Sequence, residues 1–239
     1  MNGAVGRLCK QKWKDWEYGG VYKNYDMTGT IKTEMGRVMV HDIYEECPEF
    51  LKEADCLFCD PPCSVGNLKT FYTKTDRTDY KETYEPFIDR LFKYVDEIQP
   101  KIMYVEVFAS NKNAFIKECE KRFKYVTVDD SYYYHNKKNR CWIIRCGQVE
   151  EAPGPDSMID EETYIRWICK NVDYKCIADP CIGRGLVGIN SHKNEKKFVG
   201  TELNKKRLAI LLQRIDEYDA KQAEKERKRL AKQKNNFCR

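Results

Sequence analysis

The sequence predicts an α/β chain: a mostly parallel sheet with a closing antiparallel hairpin and helices on both faces. Three observations predict it. Residues 54–63, A-D-C-L-F-C-D-P-P-C, form a short apolar run that stops in an acid and two prolines, as a strand covered on both faces would. Residues 176–204 read as strand, glycine turn, helix and strand. Between these stretches, apolar strand patterns alternate with amphipathic helix patterns.

Taken in order, residues 1–35 form an N-terminal arm without regular period, in which Lys10, Lys12, Trp13, Lys14, Trp16 and Tyr18 precede Tyr22, Lys23 and Tyr25. Rings interleaved with bases suit nucleic-acid contact, since bases stack on rings while phosphates meet ammonium groups. Asp15, Glu17 and Asp26 dilute the charge and favour an arm packed over the sheet. Residues 36–42, G-R-V-M-V-H-D, follow as a strand ending in Asp42, and a helix over 47–53 leads to the strand that ends at Asp60. Neither Pro61 nor Pro62 can donate to a ladder, so a rigid turn must follow. It falls at the carboxyl edge of the sheet, where ligands of open α/β sheets gather. A helix-capping Asp at a loop exit would carry the same letters.

Residues 64–84 show no clear period and are expected to form a long loop, of the kind that is functional or disordered. Phe71, Tyr72, Lys74 and Arg77 supply it with rings and bases beside the turn, which suits a substrate loop. A helix over 84–98, a strand over 102–107 and a helix over 113–122 come next. Residues 125–134 and 141–146 then form an antiparallel pair joined by H-N-K-K-N-R, and residues 150–160 read as a linker. A helix over 161–171 carries Tyr164, Ile165, Ile168 and Cys169 on its apolar face.

Asp179, Pro180 and Cys181 lead from the next strand into Gly183 and Gly185, which permit a tight turn with close ligand approach. After the helix that begins at Leu186, the strand over 197–201 ends at Glu202, an acid placed to take two hydroxyls of a ribose. The last helix starts near Asn204 and packs through Leu208, Leu211, Leu212 and Ile215; beyond Tyr218 its apolar face fades. Residues 220–239 form a basic helical tail. Within 221–239, eight Lys or Arg stand against two Glu, so of the net charge of +5 the rest of the chain carries about minus one. A solvated helix and a phosphate-contacting extension both fit this tail.

Together, D-P-P-C at 60–63 and D-P-C-I-G-R-G with F-V-G-T-E-L-N at 179–204 resemble the two signatures of S-adenosylmethionine-dependent DNA amino-methyltransferases. The tetrapeptide precedes the glycine loop, which resembles the permuted, beta order of that family, over roughly residues 36–215. The resemblance implies a Rossmann-like methyltransferase fold for a catalytic domain over 36–219. It implies S-adenosyl-L-methionine as cofactor, held by Asp179, Pro180, Cys181, Gly183, Gly185 and Glu202, with Asp42 near the adenine. It implies that Asp60, Pro61, Pro62 and Cys63 form the catalytic turn, where the Asp60 carboxylate and Pro61 carbonyl accept the hydrogens of an exocyclic amine. The partner implied is DNA, with RNA left open, and the preferred target is N6 of adenine; N4 of cytosine uses the same turn. Cys63 stands where the family has an aromatic residue on which the flipped base stacks, and Phe71 or Tyr72 could replace that ring. Asp160 and Glu161 stand where the family has a lysine and a proline.

Cys63 also opens a rival. P-P-C resembles the nucleophile turn of cytosine-carbon-5 methyltransferases, Glu106 in Y-V-E-V lies where their acid is expected, and N-K-K-N-R at 136–140 is similar to a later basic motif. Those enzymes lack the acid before the prolines and place the glycine loop first. A third reading is a non-catalytic nucleic-acid-binding relic of the fold.

Composition bounds the rest. A chain of 239 residues suits one α/β domain and is short for two. No apolar run approaches the ~18–20 residues of a membrane span and no signal-peptide pattern opens the chain, so an intracellular protein is expected, cytoplasmic or nucleoid-associated, as monomer or homodimer. Many of its twelve cysteines fall inside predicted elements, which suggests reduced, buried thiols. Cys56 and Cys59, three apart on one strand, face opposite ways and cannot share a metal there, and no metal is expected.

Overall fold

Strands whose residues are buried along almost their whole length form the centre of an eight-stranded sheet. The structure, a computed structural model, describes residues 20–237. Its strands are β1 (Thr30–Lys32), β2 (Gly36–Val40), β3 (Cys56–Cys59), β4 (Ile102–Val107), β5 (Tyr125–Tyr132), β6 (Arg140–Gly147), β7 (Cys176–Asp179) and β8 (Lys197–Glu202), in spatial order β1-β2-β8-β7-β3-β4-β6-β5. Strands β2, β8, β7, β3 and β4 are parallel. The hairpin β5–β6 closes one side antiparallel, and β1 is added antiparallel at the other.

Alternation along β3 decides which layer each side chain joins. Leu57 and Cys59 pack under the helices α1 (Val65–Thr73), α2 (Glu85–Ile98) and α3 (Lys112–Glu120). Cys56 and Phe58 face the opposite layer, α4 (Glu161–Asn171), α5 (Leu186–Lys193) and α6 (Lys205–Phe237). This is the period of two expected of a strand buried on both faces. The two thiols accordingly lie in different cores.

Three local features differ from expectation, and the last helix is long. Residues 47–53 hold only a short 3-10 turn, Glu49–Glu53, because Pro48 starts it in extended backbone and Ala54 ends it in extended backbone. The stretch 64–84 is not loop throughout. Ser64 caps α1 by accepting from the Asn67 N–H at 3.2 Å, and Leu68 and Tyr72, one turn apart, are buried. Strand β1 pairs with β2, so the sheet begins before residue 36. Helix α6 runs unbroken through residue 220; it is 33 residues long, or about 50 Å at 1.5 Å per residue.

The start of α6 is buried through Leu208, Leu211, Leu212 and Ile215, while most residues from 219 to 233 are exposed. The described part of the N-terminal arm packs on this helix. Tyr25 donates to Asp216 at 2.6 Å, and the Tyr22 ring lies 5.1 Å from the Lys205 ammonium. The arm residues Lys10, Lys12, Trp13, Lys14, Trp16 and Tyr18 lie outside the described residues. Among the described residues, no helix is long and apolar enough to cross a membrane.

Candidate active site

Five parallel strands deliver five acids to one edge of the sheet. Asp42 follows β2, Glu202 ends β8, Asp179 ends β7, Asp60 follows β3, and Glu106 lies next to the end of β4. All five line a single cavity of about 890 Å³. Its size falls within the roughly 300–1,000 Å³ of small-molecule sites, and its position beyond the carboxyl ends of the strands is where such folds hold ligands. Helices α4, α5 and α6 add the exposed bases Arg166, Lys193 and Lys221 to the same cavity.

The turn after β3 is fixed from three sides. The Tyr84 hydroxyl donates to the Pro62 carbonyl. The Cys63 N–H donates to Asn67 Oδ1 at 3.2 Å, and Asn111 Nδ2 donates to the Cys63 carbonyl at 2.8 Å. None of these bonds engages the Pro61 carbonyl or the Asp60 carboxylate, and no donor among the described residues reaches Asp60. Asp60 is open to the cavity by its accessible surface, yet protein surrounds the cavity. This confinement pushes its carboxyl up to about 6, against the pull of Arg207 and with a further push from Glu161. Cavity water reaches the group, so the carboxylate form is accessible near neutral pH.

Beside Asp60, on β4, Glu106 is 1 % exposed. Burial first, then the charge of Asp60, raises its carboxyl well above the ordinary range, with Tyr133 opposing and Glu161 and Asp179 adding. Tyr133 comes close enough to act on that carboxyl, yet neither Glu106 Oε1 nor the Tyr133 hydroxyl makes a hydrogen bond of good geometry. The Tyr133 ring is stacked on Phe108, centroids 4.9 Å apart and planes 13° apart. Both rings line the cavity together with Tyr134.

On the other side the acids are tied down. Asp179 Oδ1 accepts from the Cys181 N–H at 3.0 Å, and Glu202 Oε1 from the Asn204 N–H at 2.8 Å. Burial raises the Asp179 carboxyl well above its ordinary value although the Cys181 N–H opposes it. Asp42 accepts from the Tyr72 hydroxyl at 2.7 Å, from the Tyr44 N–H at 3.0 Å and from Arg77 at 2.8 Å. Arg207 reaches across this half, 4.0 Å from Glu202 and 4.8 Å from the Phe71 ring centroid.

The residues singled out in the sequence thus separate. Asp42, Asp60, Pro61, Pro62, Cys63, Phe71, Lys74, Asp179, Pro180, Cys181, Gly183 and Glu202 line the cavity. Gly183 has φ +58, and a Cβ there would meet Arg207 Nη2 at 2.9 Å. Gly185 does not line the cavity. Its φ is +77 and a Cβ would collide with the Leu211 side chain on α6, so packing behind the turn also requires glycine there. Tyr72 also lines the cavity, but it is 2 % exposed and its hydroxyl is committed to Asp42. Arg77 is engaged by Asp42 and Asp79. Asp160 caps α4, accepting from the Thr163 N–H at 3.2 Å, and Glu161 accepts from the Tyr134 N–H at 3.2 Å.

Sequence reasoning passed over Arg207, Tyr133, Tyr84 and the two asparagines that brace the turn. It noted Glu106 only for the rival chemistry, although that acid carries the same signal as Asp60, a carboxylate near the carboxyl end of an apolar strand. Outside the cavity, Glu34, His192 and Asp219 bring their ligand atoms within 4.8 Å of one another, the spacing of a metal site, but His192 Nε2 is already bonded to Asp219 at 2.6 Å.

No protein-family model and no curated protein sequence matches this chain. Solved structures do. The structure of M1.HpyAVI matches with a TM-score of 0.54 at 14% identity, covering 76% of this chain and 99% of that one. TTHA0409 from Thermus thermophilus, described as a DNA modification methylase and solved with S-adenosyl-L-methionine, matches with a TM-score of 0.52 at 12% identity over 74% of this chain and 92% of that one. The cytosine-N4-specific PvuII DNA methyltransferase matches with a TM-score of 0.52 at 8% identity over 75% and 86%. This chain has the α/β fold of these methyltransferases.

Proposed function

We propose that the chain transfers a methyl group from S-adenosylmethionine to an exocyclic amino group of a DNA base, with N6 of adenine as first expectation. The observation that carries this is the Asp60–Pro61–Pro62 turn: a carboxylate and a carbonyl that no described donor engages, on a backbone braced at the next two residues, in an acid-lined cavity. One fold neighbour is named a cytosine-N4-specific DNA methyltransferase and another a DNA modification methylase, and two are solved with S-adenosylmethionine, which supports the reading.

The cavity fits the cofactor. Asp179 and Glu202 suit a cationic ligand, and the pocket has the volume for one. Glu202 Oε2 is free to accept from ribose hydroxyls once Arg207, 4.0 Å away, turns aside. When bound, the cofactor supplies a methyl group activated by its sulfonium charge.

An amine conjugated to a base ring is a poor nucleophile because its lone pair is delocalised. Asp60 in its carboxylate form accepts one amino hydrogen and the Pro61 carbonyl the other, which favours the pyramidal geometry with the lone pair free. Asp60 then takes the proton released as the nitrogen gains its methyl group. Tyr84, Asn67 and Asn111 keep the turn from relaxing, so the effect is positioning and preorganisation. The base has to leave the duplex at a cost of a few kcal/mol, and the Lys and Arg side chains lining the cavity suit the phosphates on either side.

Incubation with labelled S-adenosylmethionine and mixed DNA or RNA, followed by nucleoside mass spectrometry, tests the reading. N6-methyladenine or N4-methylcytosine is expected. Cofactor binding without transfer to any base would identify a relic. The carbon-5 reading has one observation in its favour, that Cys63 and Glu106 line the same cavity; 5-methylcytosine would establish it.

A further inference from the structure

We propose that Glu106, with Tyr133 beside it, reads the ring nitrogen next to the amino group of the target base, and so restricts the site to bases that present an amino group beside an unprotonated ring nitrogen. This rests on the amino-transfer reading of the same cavity and adds the residue that selects the base.

Register places the two acids together. Cys59 pairs with Val105 in the parallel ladder of β3 and β4, so the next step brings Asp60 alongside Glu106 at the sheet edge. Both line the cavity. Their surroundings then give them different roles. Asp60 is open to cavity water, whereas Glu106 is 1 % exposed and keeps Oε1 without a partner. Buried polar groups are almost always hydrogen-bonded, so Glu106 Oε1 and the Tyr133 hydroxyl, near each other yet without a hydrogen bond of good geometry, keep bonding capacity that a ligand can complete. The stacking of Tyr133 on Phe108 holds that hydroxyl in place rather than letting it swing out to water.

Burial, and then the charges of Asp60, Glu161 and Asp179, favour the neutral form of Glu106, in which it carries a hydrogen to donate. The floor therefore offers an acceptor, Asp60, next to a donor, Glu106. That order complements the N–H and ring nitrogen of adenine N6 and N1, or of cytosine N4 and N3. At the equivalent position of this edge, guanine (C6) and thymine or uracil (C4) present a carbonyl oxygen in place of the amine, beside a ring N–H, and that oxygen would face the Asp60 carboxylate, acceptor against acceptor. Sites built on such hydrogen bonds reject the mismatched analogue strongly.

The test is a cycle of variants against base analogues. Turnover per unit KM is measured for the parent, Glu106→Gln and Glu106→Leu on oligonucleotides carrying adenine or 1-deazaadenine, or cytosine or 3-deazacytosine if that is the methylated base, with cofactor affinity followed by calorimetry. The parent should lose about 10- to 100-fold on the deaza base, as for one unmade buried hydrogen bond. Glu106→Leu should lose a similar factor on the natural base and keep only the intrinsic difference in reactivity between the two bases, which is common to parent and variant. Glu106→Gln should retain discrimination through its amide N–H. A parent that methylates the deaza base as well as the natural one overturns the proposal, as does an undiminished deaza penalty in Glu106→Leu. If Glu106→Leu fails to fold, Glu106→Gln decides: loss of discrimination with cofactor affinity intact overturns it. A parent that methylates neither adenine nor cytosine overturns the amino-transfer reading itself.

Discussion

The two halves of the cavity treat their acids differently. Towards β2, β8 and β7, each carboxylate is held by a nearby backbone N–H: Asp42 by Tyr44, Glu202 by Asn204 and Asp179 by Cys181. Towards β3 and β4, Asp60 receives no donor among the described residues, and Glu106 Oε1 and the Tyr133 hydroxyl make no hydrogen bond of good geometry. Groups satisfied by the fold are preorganised to hold a ligand and change little when it binds. Groups left unsatisfied keep their bonding capacity for the reacting molecule, at a cost to stability that well-packed surroundings offset. The contrast assigns holding to one half and reaction to the other.

The largest expected effect breaks the reacting half. Asp60→Ala should lower turnover by roughly 10²–10³-fold or more, as the loss of a preorganised acceptor does, while calorimetry shows cofactor affinity largely intact. In the parent, activity should rise with pH through about 6 as Asp60 ionises. The same group has a stability signature. Its carboxyl is raised from 3.8 to about 6 in the folded protein, so the unfolded chain releases its proton first and the folded protein loses stability as pH rises through that window. Asp60→Asn should melt above the parent at neutral pH and converge with it below pH ~4. A variant that binds no cofactor would put Asp60 in the holding half.

Glu202→Ala reverses the pattern. Cofactor affinity should fall roughly 10- to 100-fold, the range for a lost hydrogen-bonded charge, with turnover at saturating cofactor close to the parent. Equal affinity would remove Glu202 from the ribose position.

Gly185→Ala separates holding from folding. The φ of +77 and the neighbouring Leu211 should cost about 1–3 kcal/mol and lower Tm by several degrees. The folded variant should bind cofactor normally. A large affinity loss at unchanged Tm would return Gly185 to the ligand.

Smaller effects sharpen the comparison. Cys63→Ser should retain turnover within a few-fold, since the turn uses the backbone of Cys63 through Asn67 and Asn111. Complete loss, with a covalent adduct on fluorocytosine DNA in the parent, would instead establish the carbon-5 chemistry. Deleting residues 224–239, beyond the last cavity-lining base Lys221, should only flatten the salt dependence of DNA binding, by about 0.9 in log-log slope for each phosphate no longer neutralised. An unchanged slope would leave the end of α6 a solvated helix.

Much of the sheet and one row of the site could be read without coordinates. An apolar run that ends in an acid and proline is local information, because a buried strand needs apolar residues on both faces and proline ends its ladder. That logic located Asp60 and Asp179 at strand ends, and the glycine turn before Leu186. Helix α1 escaped it because residues 64–84 are polar and threonine-rich, and a capping Ser64 with two core residues one turn apart is a weak periodic signal.

What tertiary structure alone decided is which distant residues share a wall. Leu211 stands behind Gly185 and places a packing constraint on it that the sequence pattern does not show. Tyr72 was expected on a substrate loop, but the fold buries it against Asp42, 30 residues away in the chain. Glu106 and Tyr133 meet beside Asp60 because β4 lies between β3 and the closing hairpin, an order that depends on how the sheet assembles. Local patterns record what one segment needs in order to be buried. Sheet order and helix docking arise from the competition of all segments for the same core, and that competition set the partners, and the missing partners, of the acids in this cavity.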